Sequence, residues 1–98
     1  MSNIDLEKTM AELPDLVADA LLVWRTATLD KDRLHAQLYI TYRSTNPEMT
    51  SVEIKARIGD DDRYYQASLS ELKAEAEYNR LNERLMAAKK LASLRTAF

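Results

Sequence analysis

The chain contains no cysteine, one glycine, two prolines and one histidine in 98 residues. Without cysteine there is no disulfide and no thiolate, so zinc sites built on sulfur and Cys–His nucleophilic catalysis are excluded. The absence of disulfides also fits a reducing compartment. One glycine cannot build a phosphate-cradling loop of either common kind. The single histidine, His35, sits beside an apolar seam, where a packing role is a better reading than general base. The longest unbroken apolar run is Ala20 to Trp24, far too short for a bilayer. The first residues, MSNIDLEK, lack a basic segment leading into a hydrophobic one, so no secretion signal is expected and cytoplasmic is the default. The remaining carboxylates are spread along helices without a convergent pair. The chain reads as a non-enzyme without cofactor or metal.

What is present points to helix. Hydrophobic residues make up 46% of the chain and charged residues 31%, a soluble, folded composition. Ala, Leu, Glu, Lys and Arg are abundant, all strong helix formers. Ile4, Leu6, Met10 and Leu13 predict a short amphipathic helix or arm over 1–13. Pro14 is expected to end it, since proline disfavours a helical residue before it and suits a first turn. A long helix follows over 14–44. Its apolar spacing alternates three and four through Leu13, Val17, Ala20, Trp24, Ala27, Leu34, Leu38 and Thr41, with Lys31 the one polar interruption. That is a coiled-coil-like seam, widened by Leu21, His35 and Tyr42.

Ser44-Thr45-Asn46-Pro47 turns the chain. Thr50-Ser51-Val52-Glu53 fits a capping box, hydroxyl first and carboxylate three residues on. A short helix over 51–58 follows, with Val52, Ile54 and Ile58 as its apolar points. Gly59 stands where a left-handed C-terminal cap is expected. Asp60, Asp61 and Asp62 supply the N-cap and acidic first turn of a last long helix over 61–97. Capping accounts for this triplet better than a calcium loop, whose alternating spacing and distal glutamate are missing.

The last helix carries two apolar stripes. Tyr65, Leu69, Leu72, Ala76 and Leu94 fall on one face at about 100° per residue. Ala74, Tyr78, Leu81, Leu85, Ala88 and Ala92 fall on nearly the opposite one. The expected architecture is all-α: a long antiparallel helical hairpin with a short helical elbow. The first stripe pairs with the first long helix. The second, through Tyr78, Leu81, Leu85, Ala88 and Ala92, is left for a homo-oligomer, because a helix apolar on two sides needs partners on two sides.

The net charge of −2 conceals an asymmetry. Residues 1–20 hold Asp5, Glu7, Glu12, Asp15 and Asp19 against Lys8, a net of −4. Residues 79–98 hold Arg80, Arg84, Lys89, Lys90 and Arg95 against Glu83, a net of +4. Such polarity complements helix dipoles; it also fits a surface for a polyanion. Nucleic-acid binding needs cations for phosphates and aromatics to stack on bases. Arg43 lies close to Tyr39 and Tyr42, Lys55 and Arg57 lie in the elbow with Arg63, Tyr64 and Tyr65 following, and Lys89, Lys90 and Arg95 lie near the end.

Trp24, then Leu34-His35-Ala36-Gln37 leading to Arg43, then Glu53-Ile54-Lys55 with Ile58 and Asp61, then Tyr78, Leu81, Glu83, Ala88 and Arg95 form a pattern of order and spacing. It resembles the UvsY family of phage recombination mediators over roughly Trp24 to Arg95. The resemblance implies an all-helical, ring-like oligomer in a host cytoplasm that binds single-stranded DNA and helps a recombinase displace a single-strand-binding protein. Arg43 matches a basic DNA-contacting position of that family. Thr45 stands where the family has a second basic residue, and the loop between the helices is shorter here. The alternative is a phage structural or protein-binding hairpin, an assembly factor or inhibitor of a host system, with no DNA dependence.

Overall fold

A computed structural model describes residues 3–96, with side chains described for 5–95. The chain forms three helices: α1 (Asn3–Thr45), α2 (Ser51–Gly59) and α3 (Asp62–Thr96). No strand occurs among the described residues. The side chain of Ile4 and the expected helical end at Ala97 lie outside them. No described helix is long and apolar enough to cross a membrane. The chain divides into two compact units, one of Met1–Trp24 with Ala74–Phe98 and one of Arg25–Lys73.

In the first unit the two long helices run antiparallel. Leu6, Leu13 and Ala20 of α1 bury against Leu81, Leu85 and Ala88 of α3, with Met10, Val17, Tyr78 and Ala92 packed around them. Trp24 stacks on Tyr78 with ring centroids 5.4 Å apart. This reverses the expected roles of the α3 faces. Tyr78, Leu81, Leu85, Ala88 and Ala92 do not wait for another copy; the chain's own α1 covers them, leaving Leu81, Leu85 and Ala88 only 7, 7 and 6% exposed. The face expected to pair with α1 points outward instead: Tyr65, Leu72 and Leu94 are 59, 60 and 50% exposed.

Pro14 does not interrupt α1, which runs through it. A proline inside a helix removes one hydrogen bond and crowds the preceding turn, a cost of about 3 kcal/mol. Packing overrides that cost. Leu6, Met10, Leu13 and Val17 keep one spacing across Pro14, and all belong to the same core cluster. A break there would strip Leu6 and Met10 from it.

The second unit is built on α2. Ile54 and Ile58, four residues apart, are 0 and 1% exposed and close with Leu38 over a small core. Leu34, Tyr39, Tyr42, Met49 and Tyr64 pack around it. Val52 is 78% exposed, because two residues of helix turn it about 200° away from Ile54. Thr41, expected in the seam, is exposed, while Tyr42 takes the inward position. The seam's polar interruption is matched: Lys31 Nζ donates to Glu71 Oε1 at 2.8 Å. That hydrogen bond raises the Lys31 pKa. It lowers the pKa of Glu71, helped by a hydrogen bond with Thr28.

Thr50 caps α2, its hydroxyl accepting from the Glu53 N–H at 3.2 Å. Gly59 does not take the left-handed cap. No glycine has positive φ, and the C-cap is Asp60 at φ −90, ψ −3, its N–H bonded back to Ala56 O. Asp61 then caps α3. Its carboxylate accepts from the Arg63 backbone N–H at 2.8 Å and from the Arg63 guanidinium at 2.9 and 3.1 Å.

Leu85→Glu puts a carboxylate into the covered seam of the first unit and is expected to lower unfolding stability by about 3 kcal/mol or more. Chemical denaturation followed by circular dichroism measures it; unchanged stability with altered native mass would restore the intermolecular assignment of that stripe. The Arg63 contacts hold the Asp61 pKa at about 2, against an ordinary 3.8. A group lowered in the folded state contributes stability above its unfolded pKa and loses it as pH falls through the folded one. Melting temperature should therefore fall between about pH 4 and pH 2 partly through Asp61. Asp61→Asn should flatten that part of the profile; an unaltered acid limb contradicts the assignment.

Candidate nucleic-acid interface

The six basic residues of interest are divided between the units. Arg43, Lys55 and Arg57 belong to the second, and Lys89, Lys90 and Arg95 to the first.

Arg43 is engaged by the connector. Its Nη1 donates to the carbonyls of Met49 and Pro47 at 2.7 and 3.3 Å, and Nη2 donates to the Tyr39 hydroxyl at 3.3 Å. The guanidinium also lies over the Tyr39 ring, 5.8 Å from its centroid. Tyr39 in turn shares a 2.9 Å hydrogen bond with Ser51 Oγ. The Ser51 hydrogen bond, followed by that from Arg43, pulls the Tyr39 pKa below its ordinary value. A planar fork of donors suits this work, because the loop after α1 leaves carbonyls that no helix satisfies. Arg43 thus fastens the α1–α2 turn. The shallow hollow beside it is lined by Thr45, Asn46, Pro47, Glu48, Met49 and Glu53, whose two carboxylates are the wrong sign for phosphate.

Lys55 and Arg57 are exposed on α2, away from buried Ile54 and Ile58. Arg63 is held by Asp61 at 2.9 Å. Among the tyrosines, Tyr39, Tyr42 and Tyr64 pack into the second core, Tyr64 edge-on to His35 at 5.6 Å. Tyr65 is exposed and accessible to a base.

In the first unit, Arg80 pairs with Glu77 at 2.6 Å. Arg84, Lys89, Lys90 and Arg95 are exposed, and none makes an ion pair or side-chain hydrogen bond among the described residues. Arg84 was absent from the sequence-based set of candidate contacts; its place four residues after Arg80 was the available signal. No group of side chains able to hold a metal ion occurs among the described residues. No protein family, curated protein or solved structure matches this chain.

Arg43→Ala should cost about 1–2 kcal/mol of stability, since it leaves two loop carbonyls without their donor. Arg43→Lys should recover little, because a point charge cannot serve three acceptors in fixed directions. Urea denaturation of both variants tests this; wild-type stability in Arg43→Ala would return the residue to the candidate DNA contacts.

Proposed function

We propose that this chain is a non-enzymatic, single-stranded-DNA-binding accessory protein of recombination, a mediator that helps load a recombinase. DNA contact is assigned to the last turns of α3 and not to Arg43. The observation that carries this reading is that Lys89, Lys90 and Arg95 are exposed without a protein counter-charge among the described residues. Cations in that state hold solvent ions, and a phosphate backbone that displaces those ions gains their release entropy. The resemblance to the UvsY family, which includes Arg95 in its pattern, supplies the recombination context. Lys55 and Arg57 form a separate, smaller contact in the other unit. Binding by so few cations is weak, so copies acting together would strengthen it.

A second reading, a protein-binding helical module, is favoured by one observation. In the unit Arg25–Lys73, Leu29 and Ile40, eleven residues apart on one outward face of α1, are 68 and 65% exposed, apolar surface that a protein partner would cover.

Fluorescence anisotropy with a labelled single-stranded oligonucleotide distinguishes the readings. The DNA reading predicts binding without sequence preference at low salt, with log K falling against log salt at a slope of about −2 for three phosphate contacts. Lys89→Ala/Lys90→Ala/Arg95→Ala should weaken binding roughly tenfold or more. Recombinase activity on strands coated with a single-strand-binding protein should rise on adding the chain. No binding at low salt ends the DNA reading and leaves the protein-binding one.

A further inference from the structure

Antiparallel packing in the unit of Met1–Trp24 with Ala74–Phe98 sets the acidic start of α1 beside the cations proposed to hold DNA. The Trp24–Tyr78 ring contact fixes the levels. Lys90 lies twelve residues beyond Tyr78, and Glu12 twelve before Trp24. Arg95 and Glu7 lie seventeen residues away on the same count. Each acid therefore stands within a turn of the level of a cation on the neighbouring helix.

The angles divide acids and cations alike. Counted at 100° per residue from the inward line of Leu6, Leu13 and Ala20, Glu12 lies about 100° to one side and Glu7 about 120° to the other. Arg95 lies to the Glu12 side of the line of Leu81, Leu85 and Ala88, and Lys89 to the Glu7 side. Axes of packed helices are about 8–10 Å apart, so a phosphate on Lys89 or Arg95 lies roughly 10–15 Å from a carboxylate of α1.

Neither capping nor internal pairing accounts for these acids. The field of a helix terminus fades within its first turn, where α1 has Asp5; Glu7 and Glu12 come later. Both are exposed, and neither makes an ion pair or side-chain hydrogen bond among the described residues. Lys8, the only base between them, lies about 140° round, on the outer face of α1.

We infer that Glu7 and Glu12 are a brake on the DNA site of α3, an inference that rests on the function proposed above. Each repels the phosphate that a neighbouring cation attracts. A strand that touches Lys89 or Arg95 passes one acid or the other, whichever side of the pair it takes. A mediator has to give its strand up to the recombinase, and a site with both signs at close range holds phosphate loosely. Charges act over about 30 Å at 0.01 M salt and about 8 Å at 0.15 M, so the brake is strongest in dilute salt.

Fluorescence anisotropy with a labelled single-stranded oligonucleotide tests it. Glu7→Gln/Glu12→Gln keeps side-chain size and helix propensity, and circular dichroism should show wild-type helicity. This variant should bind about fivefold more tightly than wild type at about 20 mM salt, a gain falling to about twofold at about 150 mM. Asp30→Asn/Asp32→Asn makes the same change of net charge in the unit of Arg25–Lys73. It should leave affinity within about twofold of wild type at the lower salt. A Glu7→Gln/Glu12→Gln chain that binds no more tightly than wild type overturns the brake and leaves the DNA reading standing. Equal tightening by Asp30→Asn/Asp32→Asn overturns it too, since net charge alone would then decide. No binding by wild type or by either variant ends the brake together with the DNA reading.

Discussion

Everything else in the molecule depends on a line of side chains recurring every three and four residues along each long helix, closed by antiparallel packing in both units. In the first unit Leu6, Leu13 and Ala20 meet Leu81, Leu85 and Ala88. That line is strong enough to carry α1 through Pro14. Burying a leucine contributes roughly 2 kcal/mol, so the cluster offsets a proline defect several times over. In the second unit the line is thinner, and α2 completes it by driving Ile54 and Ile58 against Leu38. The connector is correspondingly well fastened, by the Thr50 cap, the Asp61 cap and the Arg43 fork.

The seam of α1 was legible because nearly every inward position is apolar. The seam of α3 was not, and Glu71 is the reason. Tyr64, Glu71, Tyr78, Leu85 and Ala92 recur every seven residues, but a reading that counts only apolar residues breaks at Glu71 and assembles a rival stripe from Leu69, Leu72 and Leu94. The missed signal was on α1. Lys31 stands inside an apolar seam, and a cation there needs an anion across from it. Glu71 is that anion, 2.8 Å away. A matched polar pair in an otherwise apolar seam also penalises shifted registers, which would set lysine against leucine. Gly59 misled for a simpler reason. Only two residues separate α2 from α3, and Asp60 closes the turn in an ordinary helical conformation, leaving no role for a left-handed residue.

Among the candidate site residues, exposure followed from the sequence and engagement did not. Lys55, Arg57, Lys89, Lys90 and Arg95 are exposed, as cations on outward helix faces should be. Arg43 looked equivalent in the sequence, yet loop carbonyls claim it. Charge segregation between the chain's ends was visible as a net −4 and +4. Antiparallel pairing turns that difference along the chain into a difference across one small unit, with acids on one helix and bases on the next. The chemistry of the molecule therefore lies on its outer surfaces, while the apolar stripe that suggested assembly is consumed in folding.

The central claim is that α1 and α3 of one and the same chain cover each other. The Trp24–Tyr78 ring contact of 5.4 Å tests it most directly, through a nuclear Overhauser effect between the two rings that selects pairs in which both are carbon-13 labelled. Labelled chain is diluted into a large excess of unlabelled chain, unfolded and refolded. An effect undiminished per labelled chain is the predicted result; its disappearance on dilution would mean that the rings belong to different copies and would contradict the account.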